Sequence, residues 1–175
     1  MKTLEAGQEF PTMTAEKLAG GQVNLGTPSD GFDWQMVVVY RGLHCPICKR
    51  YLAKLEELAP QYHAEGIEVI VVSGDPEKKA QAMVDEKELT LPMGYGLSIA
   101  RMRTLGLYVS DPRSAKETDR PFPEPGLFVI NEKGNVQILD VSNAPFARPE
   151  LEGILNGIKF IRANDYPVRG THSAA

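Results

Sequence analysis

At 175 residues, 42% hydrophobic and 24% charged, the chain has the make-up of one globular domain large enough to bury a core without metal or disulfide staples. Its net charge of −4 argues against a task built on phosphate backbones, which calls for a strongly basic surface. No run approaches the ~18 apolar residues of a membrane span, and MKTLEAGQEFPTMT lacks the apolar stretch of a secretory signal, so a cytoplasmic protein without nucleic-acid or membrane partners is expected.

In chain order, the stretch up to Asp33 is rich in Gly, Thr, Pro and Ser and reads as turns with short strands, Val23 to Leu25 among them. Met36 to Tyr40 is a continuous apolar, β-branched run, as in a strand buried on both faces. From Pro46, apolar residues Ile47, Tyr51, Leu55, Leu58 and Tyr62 recur at helical spacing until Gly66 stops the pattern. Pro60 lies inside it and is expected to kink or restart the helix. Ile67 to Val72 repeats the buried-strand pattern and ends in the turn Ser73-Gly74-Asp75-Pro76. Pro76 to Glu88 reads as an exposed helix and Ser98 to Leu105 as a shorter one. Leu127 to Ile130 and Val136 to Val141 flank Asn131-Glu132-Lys133-Gly134 as a hairpin. Pro149 to Ala163 gives a last amphipathic helix, and residues 164–175 form a polar tail expected to be flexible unless a partner holds it.

Strand–helix–strand with a right-handed crossover makes the first two strands parallel, and the hairpin adds antiparallel ones. The expected fold is therefore a single α/β domain over 1–175, with a mixed central sheet and helices on both faces. This is the layout of thioredoxin-like folds, although the spacing alone also permits other three-layer α/β arrangements.

The chain has two cysteines, Cys45 and Cys48. A secreted disulfide scaffold would have more, and a structural zinc site needs four ligands, which His44, His63 and His172 do not complete. What remains is a reactive dithiol in a reducing compartment, chemistry that requires no metal and no organic cofactor. Cys45 falls where a buried strand gives way to a helix, with Pro46 as first helical residue. At that cap its sulfur faces unpaired backbone N–H groups and the positive end of the helix dipole, which favour thiolate. Arg41 and His44 are placed to add positive charge. Cys48, one turn on, is within disulfide reach and is expected to be the less exposed resolving thiol. Two cysteines can also be small buried apolar residues, but at this spacing, with Pro between them, that reading is the weaker. For His44 the plainer role is to cap or shield.

The segments YRGLHCPICKRYLAKLEEL, EVIVVSGDP and PFPEPGLFVINEKGNV resemble the alkyl hydroperoxide reductase/thiol-specific antioxidant family, in its peroxiredoxin-like branch with a CPxC site. The resemblance runs from about Leu4 to the last helix. It implies a thioredoxin fold, reduction of peroxides by a cysteine thiolate, recycling by thiols such as thioredoxin, glutaredoxin or glutathione, and a homodimer as a common assembly. It also aligns Pro125, just before a strand, with the cis-proline of thioredoxin-like proteins, and Arg120 with the family arginine that stabilises thiolate and peroxide. An ordinary turn proline and an exposed salt-bridging arginine are the plainer alternatives. One departure stands out: where the family has Pro and then Thr or Ser, seven and three residues before the reactive cysteine, this chain has Val38 and Gly42. Three functions follow: a thiol peroxidase, a thiol–disulfide oxidoreductase that the missing hydroxyl favours, and a non-enzymatic redox-sensing or binding module.

Overall fold

The two most apolar segments of the chain lie side by side at the centre of a mixed sheet. The computed structural model describes residues 3–172. In chain order these form β1 (Met13–Lys17), β2 (Gln22–Leu25), β3 (Trp34–Val39), α1 (Pro46–Ala64), β4 (Ile67–Val72), α2 (Glu77–Lys87) and β5 (Met93–Tyr95). Then come α3 (Ile99–Thr104), β6 (Val109–Ser110), β7 (Phe122–Pro123), β8 (Gly126–Ile130), β9 (Val136–Val141) and α4 (Leu151–Asn164). The main sheet has the order β2-β1-β5-β4-β3-β8-β9. β3 and β4 are parallel from Trp34↔Ile67 to Val39↔Val72, and β3 pairs with β8 antiparallel.

Side chains of β3 alternate between two cores, as the period of a strand requires. Met36 and Val38 face a cluster shared with Leu52, Leu55 and Tyr62 of α1, Met83 of α2 and Ile158 of α4. Val37 and Val39 face a second, with Met102 of α3, Leu4 and Phe10. Helices thus cover both faces, as expected. Burial on both sides explains why β3 and β4 are unbroken runs of apolar residues with only Gln35 and Glu68 between them. These two polar side chains bond each other (Gln35 Nε2 to Glu68 Oε1, 2.8 Å), which satisfies what burial would otherwise leave unpaired.

Pro60 does not restart its helix: α1 runs unbroken for 19 residues. The proline removes one backbone bond, but Leu58, Ala59 and Tyr62 around it are buried in the core, and the Tyr62 hydroxyl donates to the Leu151 carbonyl at 2.6 Å. Tertiary packing carries the turn. The short strands β1, β5, β6 and β7 were not individually predicted, since two to five residues give too little periodicity. After α4, the Tyr166 N–H bonds the Ile161 carbonyl at 3.0 Å, and the Tyr166 ring lies edge-on to Phe160. Among the described residues no helix is long and apolar enough to cross a membrane, and no group of three or more His, Cys, Asp or Glu side chains is placed to hold a metal ion.

Candidate active site

β3 ends at Val39, and the loop 40–44 delivers Cys45 to the N-cap of α1 with extended backbone (φ −105°, ψ 102°). Pro46 opens the helix, its missing N–H costing nothing at that position. The Cys45 Sγ accepts a hydrogen bond from the Cys48 N–H at 3.2 Å, one of the donors a helix start leaves free. Cys45 and Cys48 are both free thiols, exposed by only 1% and 0%.

The pair is electrically asymmetric. The Cys48 thiol donating to it draws the Cys45 thiol down to about 6, helped by the Cys48 N–H and by Arg41 and Arg148, against the opposing effect of burial. Burial and the hydrogen bond to Cys45 push Cys48 strongly up. One sulfur is a thiolate at neutral pH and its neighbour holds the proton, the polarity expected for an attacking and a resolving thiol.

Arg41 lies in the loop before Cys45, its Nε 3.0 Å from Glu124 Oε2 and its guanidinium carbon 4.8 Å from the Phe122 ring centroid. Glu124, 4% exposed at its side chain, also accepts from Ser110 Oγ at 2.7 Å. This carboxylate fixes the guanidinium beside the sulfur. Arg41, Ser110, Arg113, Glu117, Phe122 and Pro145 line a cleft of about 370 Å³.

His44 packs edge-on to Phe122 at 4.5 Å between ring centroids, and both its ring nitrogens are buried without a partner. Burial, with Arg41 nearby, holds its pKa below the ordinary histidine range. Its ring shields the loop before Cys45. The structure does not bring Arg120 into the thiol cluster. It is exposed and held in a two-pronged contact by Asp119 (Nε to Oδ1 3.2 Å, Nη2 to Oδ2 2.9 Å). No cis peptide bond occurs among the described residues, which corrects the expectation for Pro125. The chain is already extended on both sides of it, through β7 and into Gly126, which pairs with Val39 and Val141. The trans form, favoured intrinsically by about 0.5–1 kcal/mol, continues that path. Pro125 still flanks the site: it lines a small cavity together with Tyr51, Asp140 and Arg148.

Three neighbours of the thiols escape the sequence reading. Asp75, in the turn after β4, accepts from the Leu43 N–H at 2.8 Å and so pins the loop before Cys45. Burial raises its pKa. Glu124 orients Arg41. Arg148 places Nη2 2.8 Å from Cys48 Sγ, although 100 residues separate them in sequence. Glu124, a lone carboxylate between two prolines at the mouth of an apolar strand, carried a signal. Arg148, in an irregular segment, carried none.

The profile of the AhpC/TSA family matches residues 6–138, a span that includes the CPxC dithiol at the cap of α1. The chain belongs to the AhpC/TSA family. Its sequence is 32% identical over 132 residues to the thiol-disulfide oxidoreductase ResA of Halalkalibacterium halodurans, a match spanning 75% of this chain and 65% of that protein. In fold, this AhpC/TSA member is similar to the peroxiredoxin-like protein from Aquifex aeolicus, with a TM-score of 0.75, 17% identity, and coverage of 92% of this chain and 90% of the other. It is similar also to the reduced 2-Cys peroxiredoxin of Plasmodium vivax, with a TM-score of 0.74, 17% identity, and coverage of 91% and 83%. The thioredoxin-like architecture expected from the motif order is therefore the architecture present.

Proposed function

We propose that this AhpC/TSA protein is a thiol peroxidase that reduces hydroperoxides through a Cys45–Cys48 dithiol/disulfide cycle. The observation that carries the reading is the split between the two thiols: Cys45 drawn down to about 6 beside Arg41, Cys48 held protonated one turn away. In the first step the Cys45 thiolate attacks the outer peroxide oxygen and the O–O bond breaks. The alkoxide leaves with its electron pair and takes up a proton, and Cys45 becomes a sulfenic acid. Arg41 is the donor placed to stabilise charge on the departing oxygen, because a guanidinium stays charged and offers fixed N–H groups. Cys48 then closes on the sulfenic acid, releasing water and leaving a disulfide. Two thiols of a reductant of the thioredoxin, glutaredoxin or glutathione kind restore the dithiol. His44 and Pro125 shape the site, and Arg120 stands outside it. A reducing, cytoplasmic setting and a homodimer belong to the same proposal.

A second reading, thiol–disulfide exchange, is favoured by Gly42. Its position has no hydroxyl to hold peroxide, and the match to a protein named as a thiol-disulfide oxidoreductase points the same way. Peroxide consumption with dithiothreitol, run beside reduction of insulin disulfides, separates the two. Rapid turnover of peroxide with slow insulin reduction supports the peroxidase; the reverse order overturns it.

A further inference from the structure

We propose that Arg148 acts directly on Cys48, stabilising negative charge on that sulfur when it closes on oxidised Cys45 and again when a reductant displaces it. The inference rests on the dithiol cycle proposed above and assigns a residue to its second half.

Arg148 is built into place. Its Nε donates to the Pro145 carbonyl at 2.7 Å, and its guanidinium carbon lies 4.8 Å from the Tyr51 ring centroid. The Tyr51 hydroxyl in turn donates to the Pro149 carbonyl at 2.8 Å, tying the segment to α1. That leaves Nη2 aimed at Cys48 Sγ at 2.8 Å and a buried Nη1 with no partner. None of the ion pairs among the described residues uses Arg148. A buried guanidinium without a carboxylate costs stability, on the order of 1–3 kcal/mol or more for a charged group left unsatisfied. At rest its nearby negative charge is the Cys45 thiolate, yet the atom it touches is Cys48 Sγ, a thiol until the cycle turns.

In closure, the Cys48 sulfur gives up its proton and its electron pair forms the bond to Cys45 Sγ. The sulfenic S–O bond breaks, and the hydroxide leaves as water with the released proton. Negative charge on Cys48 develops beside Arg148. In recycling, a reductant thiolate attacks Cys45 Sγ and the S–S bond breaks. Its electron pair stays on Cys48, again beside Arg148, before a second reductant thiol attacks the mixed disulfide. A lower-pKa thiol leaves faster, so by offsetting part of what burial adds to Cys48 the arginine eases its departure when Cys45 is the sulfur attacked. Arg41, on the other sulfur, takes no part in either step.

The test separates the half-reactions. Reduced wild type, Arg148→Gln and Arg148→Lys are mixed with hydrogen peroxide, and sulfenic acid is trapped with dimedone at increasing delays. Separately, disulfide prepared with diamide is reduced by dithiothreitol in a stopped-flow instrument. Arg148→Gln should prolong the sulfenic acid and slow disulfide reduction, each ~10- to 100-fold, and should slow Cys45 oxidation by less than either. Arg148→Lys, one donor in place of a fork, should slow both steps ~3- to 10-fold and covers the case in which Gln is not tolerated. Unchanged closure and reduction overturn the assignment. So does a slowed peroxide step with normal closure, which would place Arg148 on Cys45 instead. The diamide arm needs no peroxide chemistry, so a protein that fails to reduce peroxide still tests the arginine.

Discussion

Gly42 and Asp75 meet so closely that a β-carbon at residue 42 would stand 2.9 Å from the Asp75 Oδ1, and equally close to His44 Nδ1. The backbone there has φ +152°, which side-chain-bearing residues rarely adopt. The carboxylate that occupies this space is the one that pins Leu43. The family hydroxyl is thus excluded at Gly42 by the group that holds the loop. Gly42→Thr, far from restoring peroxide binding, should destabilise the fold by about 1–3 kcal/mol through overpacking and strain. Urea unfolding midpoints check this, and a variant as stable as wild type with faster peroxide turnover would contradict it.

The low pKa of Cys45 sets the acid limb of activity. Thiolate is lost as pH falls through about 6, so alkylation of Cys45 by iodoacetamide should be half-maximal near pH 6 and almost level above pH 7. An ordinary cysteine would keep gaining rate up to about pH 8.5. Absorbance of the thiolate in Cys48→Ala should titrate higher than in wild type, because the side chain that donates to the Cys45 sulfur is gone.

Arg41 and Arg120 should part company. Replacing Arg41 with Ala removes an oriented donor and should slow peroxide reduction on the order of a hundredfold, with a smaller loss in insulin reduction. Arg120→Ala breaks only an exposed pair with Asp119 and should leave both rates within about twofold. Stopped-flow rates with hydrogen peroxide for the two variants decide it.

Oxidation should give a Cys45–Cys48 disulfide within one chain. Intact mass after stoichiometric peroxide should fall by the two hydrogens, with no crosslinked species on non-reducing electrophoresis. The burial of both sulfurs favours this product over a crosslink between chains, and a disulfide-linked dimer as the main product would count against it.

Most of the frame was legible in the sequence because its signals are local. Val37 to Val39 and Ile67 to Val72 announce buried strands by composition, and Cys45-Pro46-Ile47-Cys48 announces a cap by position. The site was legible only along that one segment. Arg41 was found because it lies four residues from Cys45. Arg120 was chosen by alignment with the family arginine, and the structure turns it to solvent, where Asp119 takes both its prongs. Arg148 reaches Cys48 only because α4 packs on α1 and carries the preceding loop with it, a long-range consequence that no spacing encodes. Pro60 failed as a breaker for the same reason: the packing of Tyr62 against Leu151 outweighs a local preference.

Both sulfurs belong to the same buried cluster as Leu52, Tyr62 and Val71. In the proposed cycle, drawing them into a covalent bond would act on the interior of the protein, not on a groove at its surface. Side chains such as Leu52 and Leu55, which share that cluster, would then bear on how readily the two sulfurs meet. The atoms that give this fold its core are thus the same atoms that surround its two sulfurs.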